Sequence, residues 1–157
     1  MKQTPDLEMA QHNMRPGAIT RNGFLGDDRR NVIEILIDDE ARVRRLGVSH
    51  AGIAARMRAL RAAGMSGLGE GARVPPHYEV RVESVRGRLP CPFGHKGLYP
   101  KTNVTVRNLA LQREVIFTDL SIHMIEAHGF YEGRHGDFRV DPEDLVAVLN
   151  VAPLPAE

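Results

Sequence analysis

One cysteine is all that this chain of 157 residues carries. A lone thiol excludes an internal disulfide, so the fold has no covalent cross-link and suits a reducing compartment. Long apolar runs are missing as well. The longest, Val32 to Ile37, is interrupted by Glu34 and falls far short of the roughly 20 residues that span a bilayer. The opening Met-Lys-Gln-Thr-Pro-Asp has no apolar stretch of the kind that marks a secretory signal, so a cytoplasmic location is expected. Net charge is slight at +1, which removes any global electrostatic case for nucleic acid. The length fits a single domain able to bury a real core unaided.

Charge is nevertheless uneven along the chain. Between 40 and 62, Arg42, Arg44, Arg45, Arg56, Arg58 and Arg61 stand against Glu40 alone. From 136 onward Asp137, Asp141, Glu143, Asp144 and Glu157 stand against Arg139. A solvated basic helix face balanced by an acidic tail accounts for the pattern. If nucleic acid is a partner, Arg42, Arg45, Arg56 and Arg58 are the candidates for phosphate contact; a protein partner is nearly as well supported.

Residues 1–26 mix Pro5, Pro16, Gly17, Gly23 and Gly26 with no lasting period and are expected to form a loosely ordered arm. A single domain is expected over 27–150. Asp27 or Asp28 is placed to cap a helix in which Val32, Ile35, Leu36, Val43 and Leu46 recur at helical spacing. Gly47 ends that helix, and Ser49 caps a second whose stripe of Ile53, Met57 and Leu60 runs to Gly64, giving a helical hairpin over 27–64. The stretch from Gly64 to Pro76 reads as a loop. The period then drops to two: Tyr78, Val80 and Val82 alternate with charged residues as in a half-buried strand. Val104 with Val106, and Val115 to Phe117, read as two further strands, antiparallel across a turn near Asn108. Thr118 or Asp119 caps a helix through His128, closed by Gly129. Asp141 and Pro142 open a last helix over 141–150, with Leu145, Val148 and Leu149 on its buried face. The fold class is α+β: a helical N-terminal half, an αα-hairpin, followed by a small antiparallel sheet with two further helices.

The single cysteine has notable company. Cys91 stands in Leu-Pro-Cys-Pro-Phe-Gly-His, four positions ahead of His95, and His123 and His128 follow on a short predicted helix. One thiol and three imidazoles in two close pairs match the donor set of a four-ligand zinc site. Pro90 and Pro92 stiffen the chain around Cys91, and Gly94 permits the positive φ of a tight turn. His123 and His128 are separated by roughly 140° around an ideal helix, so both reach one ion only if the last turn unwinds at Gly129. Zinc is therefore the expected cofactor, with Glu126 and His135 as second-shell or alternative ligands. Against this stands an ordinary explanation for each residue: a hydrogen-bonded histidine, a helix-terminal histidine, a small buried cysteine.

Residues 89–129 resemble a two-cysteine, two-histidine zinc finger, with a histidine pair at a helix end and Leu120 at the apolar position before it. The resemblance implies ligand roles for Cys91, His95, His123 and His128. His95 stands where that family has its second cysteine, the first pair precedes the predicted hairpin, and 27 residues separate His95 from His123 where the family uses about 12. The DNA-reading positions therefore do not transfer. The chain as a whole is also similar to bacterial proteins of unassigned function, a resemblance that rests on the stretch from Thr118 to Gly133 and implies no activity.

Other chemistry is less well supported. A catalytic zinc would have three protein ligands, water and a carboxylate base, which brings Glu126 into view. The histidines, however, are five apart with Glu126 between them, at neither of the spacings used by zinc protease helices. Arg45 to Ala54 resembles the turn of a helix-turn-helix, with Leu46, Gly47, Val48 and Ile53 in place, but Val43 and Arg56 depart from it and a plain helical hairpin is simpler. Cys91 as a nucleophile lacks any device that lowers its pKa. The glycine clusters at 23–26 and 67–71 lack the Lys-Ser/Thr of a phosphate loop. The favoured expectation is a zinc-binding, cytoplasmic binding or regulatory module with no membrane partner; the alternative is a metal-dependent hydrolase with an open coordination position.

Overall fold

The computed structural model describes residues 2–155; Met1 and Glu157, the latter counted above with the acidic tail, lie outside them. Its order is α1 (Pro5–Asn13), α2 (Val32–Arg45), α3 (His50–Gly64), β1 (Ala72–Val74), β2 (Tyr78–Pro90), β3 (Leu98–Asn108), β4 (Arg113–Thr118), α4 (Asp119–His128) and α5 (Pro142–Leu149). The strands form one antiparallel sheet in chain order. The fold is α+β, as the change of hydrophobic period at residue 77 indicates.

Register explains the main core. Val80 pairs with Val106 and Val106 with Val115; Val82 pairs with Val104 and Val104 with Phe117. Alternation thus lines up one apolar face across three strands. Onto it pack Ile53, Met57 and Leu60 of α3, Ile122 and Ile125 of α4, and Leu145, Val148 and Leu149 of α5. Each such side chain contributes about 1.5–3 kcal/mol by leaving water. Gly64 lets the end of α3 approach the sheet, because a Cβ there would collide with the Val80 side chain.

The structure departs from the sequence expectations in several places. The segment 1–26, expected to be irregular, contains α1, capped by Thr4, and buries Ala10, Met14 and Phe24. The expected loop from Gly64 to Pro76 contains a short 3-10 turn at Met65–Gly67 and the edge strand β1. Asn31, not Asp27 or Asp28, precedes α2; Asp28 instead accepts from Arg30 and from the Arg134 amide. Asp141 precedes α5 at the N-cap position, as expected, although its carboxylate is held by Arg139 and makes no bond to the helix amides. Although α2 and α3 are consecutive, α2 rests on α1 and α5, whereas α3 rests on α4 and the sheet.

Strands β2 and β3 also run further than their alternation suggests. Pairing slips after Val85, and Gly87, at φ +113°, sits in the bulge that re-aims the hairpin. Beyond it, Leu89 and Tyr99 turn toward a second apolar cluster of Met14, Phe24, Val32, Ile35, Cys91, Leu120, Met124 and Phe130. This smaller core joins the N-terminal segment, the hairpin tip and α4. It brings Cys91 to the histidines.

Candidate metal centre

Cys91 to Gly97 connect β2 to β3, so the first candidate pair, Cys91 and His95, lies in the hairpin loop, not before the hairpin as expected. The pairing simply continues to Pro90 on one side and Leu98 on the other. The Gly94 amide donates to the Cys91 carbonyl at 3.1 Å, and Gly94 and Gly97 hold φ of +86° and +115°. These left-handed positions close the loop and are cheap only for glycine. The 27 residues between His95 and His123 are taken up largely by β3, its turn and β4.

Helix α4 starts at a capping box, in which the Ser121 amide donates to Thr118 Oγ1 and the Thr118 amide to Ser121 Oγ. It ends at Gly129, φ +64°, whose amide donates to the Ile125 carbonyl. The helix therefore does not unwind before His128. His123 and His128 approach one another through the reach of their side chains, with ring centroids 5.4 Å apart.

The donor atoms converge. One ligating atom from each of Cys91, His123 and His128 falls within 4.8 Å of the other two. Cys91 Sγ is 3.6 Å from His128 Nε2, and His95 Nδ1 is 3.2 Å from His123 Nε2. His95 is outside the three-way set but adjoins it, its ring 4.9 Å from that of His128. Zinc bonds of about 2.3 Å to sulfur and 2.0–2.1 Å to nitrogen place tetrahedral donors about 3.6 Å apart for S and N and about 3.3 Å apart for two N. The two close pairs match these edges.

Electrostatics suit a cation. Burial, then the neighbouring His123 and His95, hold the His128 imidazole down to about 4. Burial and His95 likewise lower His123. Neutral imidazoles keep a lone pair for coordination at neutral pH. Burial pushes the Cys91 thiol up, while the backbone amides of Phe93 and His95 pull it the other way. A bound cation would reverse the balance and favour thiolate.

Aromatic neighbours fix the rings. Phe93 stacks on His128 at 4.1 Å and Tyr99 on His123 at 4.5 Å. Sequence reasoning passed over both, although each lies in or beside the ligand-bearing loop. Behind the cluster, His50 bridges Tyr131 (2.8 Å) and Glu40 (2.6 Å), a link between α2, α3 and the segment after α4 with no local sequence signature.

The remaining candidates lie elsewhere or are otherwise engaged. Glu126 accepts two hydrogen bonds from Arg58, both at 2.6 Å, and no carboxylate joins the Cys-His group among the described residues. His135 pairs with Asp27 at 2.8 Å and is not part of the cluster. Arg42 contacts Asp38, Asp141 and Glu143. Arg56 donates to the Leu149 carbonyl and lies over the Tyr78 ring. Arg45 is exposed and makes no ion pair among the described residues.

No helix is long and apolar enough to cross a membrane among the described residues. Comparison of the chain with family models, with curated proteins and with solved structures gives no match.

Proposed function

We propose that the protein is a zinc-binding module in which one structural ion, held by Cys91, His95, His123 and His128, staples the β2–β3 hairpin tip to the C-terminal end of α4. The observation that carries this reading is the pair of short donor separations, 3.6 Å and 3.2 Å, between residues 37 and 28 positions apart in sequence. The ion would tie down a hairpin tip that otherwise rests on the smaller of two cores, and its binding energy would become folding energy. The module would act by binding, in the cytoplasm. Contact with nucleic acid is the less favoured partner class, because Arg42, Arg56 and Arg58 already have partners within the chain. A hydrolytic metal is disfavoured by the engagement of Glu126 with Arg58.

Metal analysis of protein purified without added metal tests the reading. One zinc per chain is expected, and cobalt substitution should give the visible bands of a tetrahedral thiolate site. Less than a tenth of an equivalent of metal, with a melting curve indifferent to both zinc and chelator, would overturn it.

A further inference from the structure

A second feature of the molecule has nothing to do with the cysteine. On the other side of Leu120 and Met124, a half-enclosed cavity of about 230 Å³ lies between the N-terminal segment, the β2–β3 hairpin and the loop after α4. Its walls are largely apolar, with Phe24, Leu89, Leu120, Met124 and Phe138 prominent. Two polar groups in it are left without adequate partners. Glu132 is 4% exposed, yet its carboxylate receives only one long contact, from the Phe138 amide to Oε1 at 3.5 Å, and Oε2 has no hydrogen-bond partner among the described residues. Thr20 Oγ1 is buried and also unpartnered. Buried polar groups are nearly always satisfied, so the unpartnered Thr20 hydroxyl, beside a Glu132 carboxylate with one oxygen free of protein partners, points to a ligand that supplies the missing bonds.

The backbone supports this. Glu132 holds φ +70°, a left-handed conformation that a glutamate seldom adopts and that strained sites retain for a purpose. Asp137, which also lines the cavity, disfavours the ionised form of Glu132, as does burial. Two acids, Glu132 and Asp137, line the cavity against one base, Lys101, a balance that favours a positive guest. The volume lies below the roughly 300–1,000 Å³ of pockets for drug-sized ligands, while an apolar cavity of about 150 Å³ already admits benzene. That fits one ring or branched chain with a short polar arm.

We propose that this cavity binds a small monoamine with an apolar body, its ammonium donating to Glu132 and its body packed against Phe24, Leu120, Met124 and Phe138. The proposal does not rest on the metal reading. A guest of this kind satisfies the carboxylate as an ion pair in a half-enclosed, largely apolar pocket, where the attraction is less screened than in open water.

Calorimetry and NMR titration of the full chain with 2-phenylethylamine, and with the neutral 2-phenylethanol, test it. The amine should bind with shifts confined to the cavity-lining residues and at least tenfold more tightly than the alcohol. Glu132→Gln should weaken the amine tenfold or more and leave the alcohol unchanged. Val85→Trp, a change at an exposed position on the cavity rim, should weaken both probes and gives an answer even if the Glu132 variant folds poorly. Absence of amine binding at 10 mM, equal binding of amine and alcohol, or amine binding indifferent to both substitutions would overturn the proposal.

Discussion

Cys91 Sγ lies 3.6 Å from Nε2 of His128, a residue 37 positions further along the chain. The contact joins a hairpin loop to a helix end at the margin of the smaller core, where Phe93 already stacks on the His128 ring. Replacing Cys91 with Ser removes the only thiol of the chain and should lower metal content and melting temperature together. A fall of at least about 5 °C is expected, equivalent to roughly 2 kcal/mol for a chain of this size. If the variant melts with the wild-type protein in both zinc and chelator, the staple does not exist.

Glu126 separates the structural from the hydrolytic reading. Its carboxylate is paired with Arg58, which holds it below its usual range, and both side chains are nearly half exposed. Glu126→Gln should leave zinc content unaltered and reduce stability by no more than about 1 kcal/mol, the ordinary worth of an exposed ion pair. Zinc loss in this variant, measured by elemental analysis, would place the carboxylate at the ion.

Asp39 and Arg139 form a buried ion pair, with side chains 2% and 10% exposed and contacts of 2.6 and 3.0 Å. Arg139 also donates to the Glu132 carbonyl, so the pair ties α2 to the loop ahead of α5. Asp39→Ala leaves the buried guanidinium with the half-exposed Asp141 as its remaining carboxylate partner and should cost about 3 kcal/mol in urea unfolding, the low end for breaking a buried pair. The double change Asp39→Leu with Arg139→Met should recover most of that loss. Failure to do so would mean that hydrogen bonds to the backbone, not the charge pair, carry the stability.

The Glu132 carboxyl is pushed up to about 8, chiefly by burial. In the unfolded chain it ionises near 4.5. Between these values the unfolded state has lost the proton that the folded state keeps, so stability must fall as pH rises from about 4.5 to about 8 and level off above that. Glu132→Gln should flatten this part of the profile and be the more stable protein at pH 8, by up to a few kcal/mol. Parallel pH profiles for the two proteins, by urea midpoint, would show that the carboxyl is not the cause.

Much of the architecture follows from local chemistry. The valines of β2, β3 and β4 alternate because one face of the sheet is buried, and the caps Ser49 and Thr118, with Gly129 as a stop, fix helices within a residue or two. Asp28 misled for a related reason. It is a good cap in isolation, but Arg30, close in sequence, holds its carboxylate, and Asn31 precedes α2 instead. α1 and the course of residues 14–26 were hidden because their burial depends on Phe24 meeting Leu120 and Phe130, contacts made across more than ninety positions.

The sequence alone determined the α+β class and the main helices and strands, and it singled out Cys91, His123 and His128 as candidate donors, because these depend on residue type and on periodicities of two and 3.6. Only the tertiary structure decided that the hairpin extends past its bulge and delivers Cys91 and His95 to the end of an unbroken α4. It also decided that Glu126 faces Arg58, that three candidate arginines are engaged within the chain, and that Glu132 borders a cavity. Those outcomes depend on which surfaces meet after the chain has folded, and spacing carries no record of that.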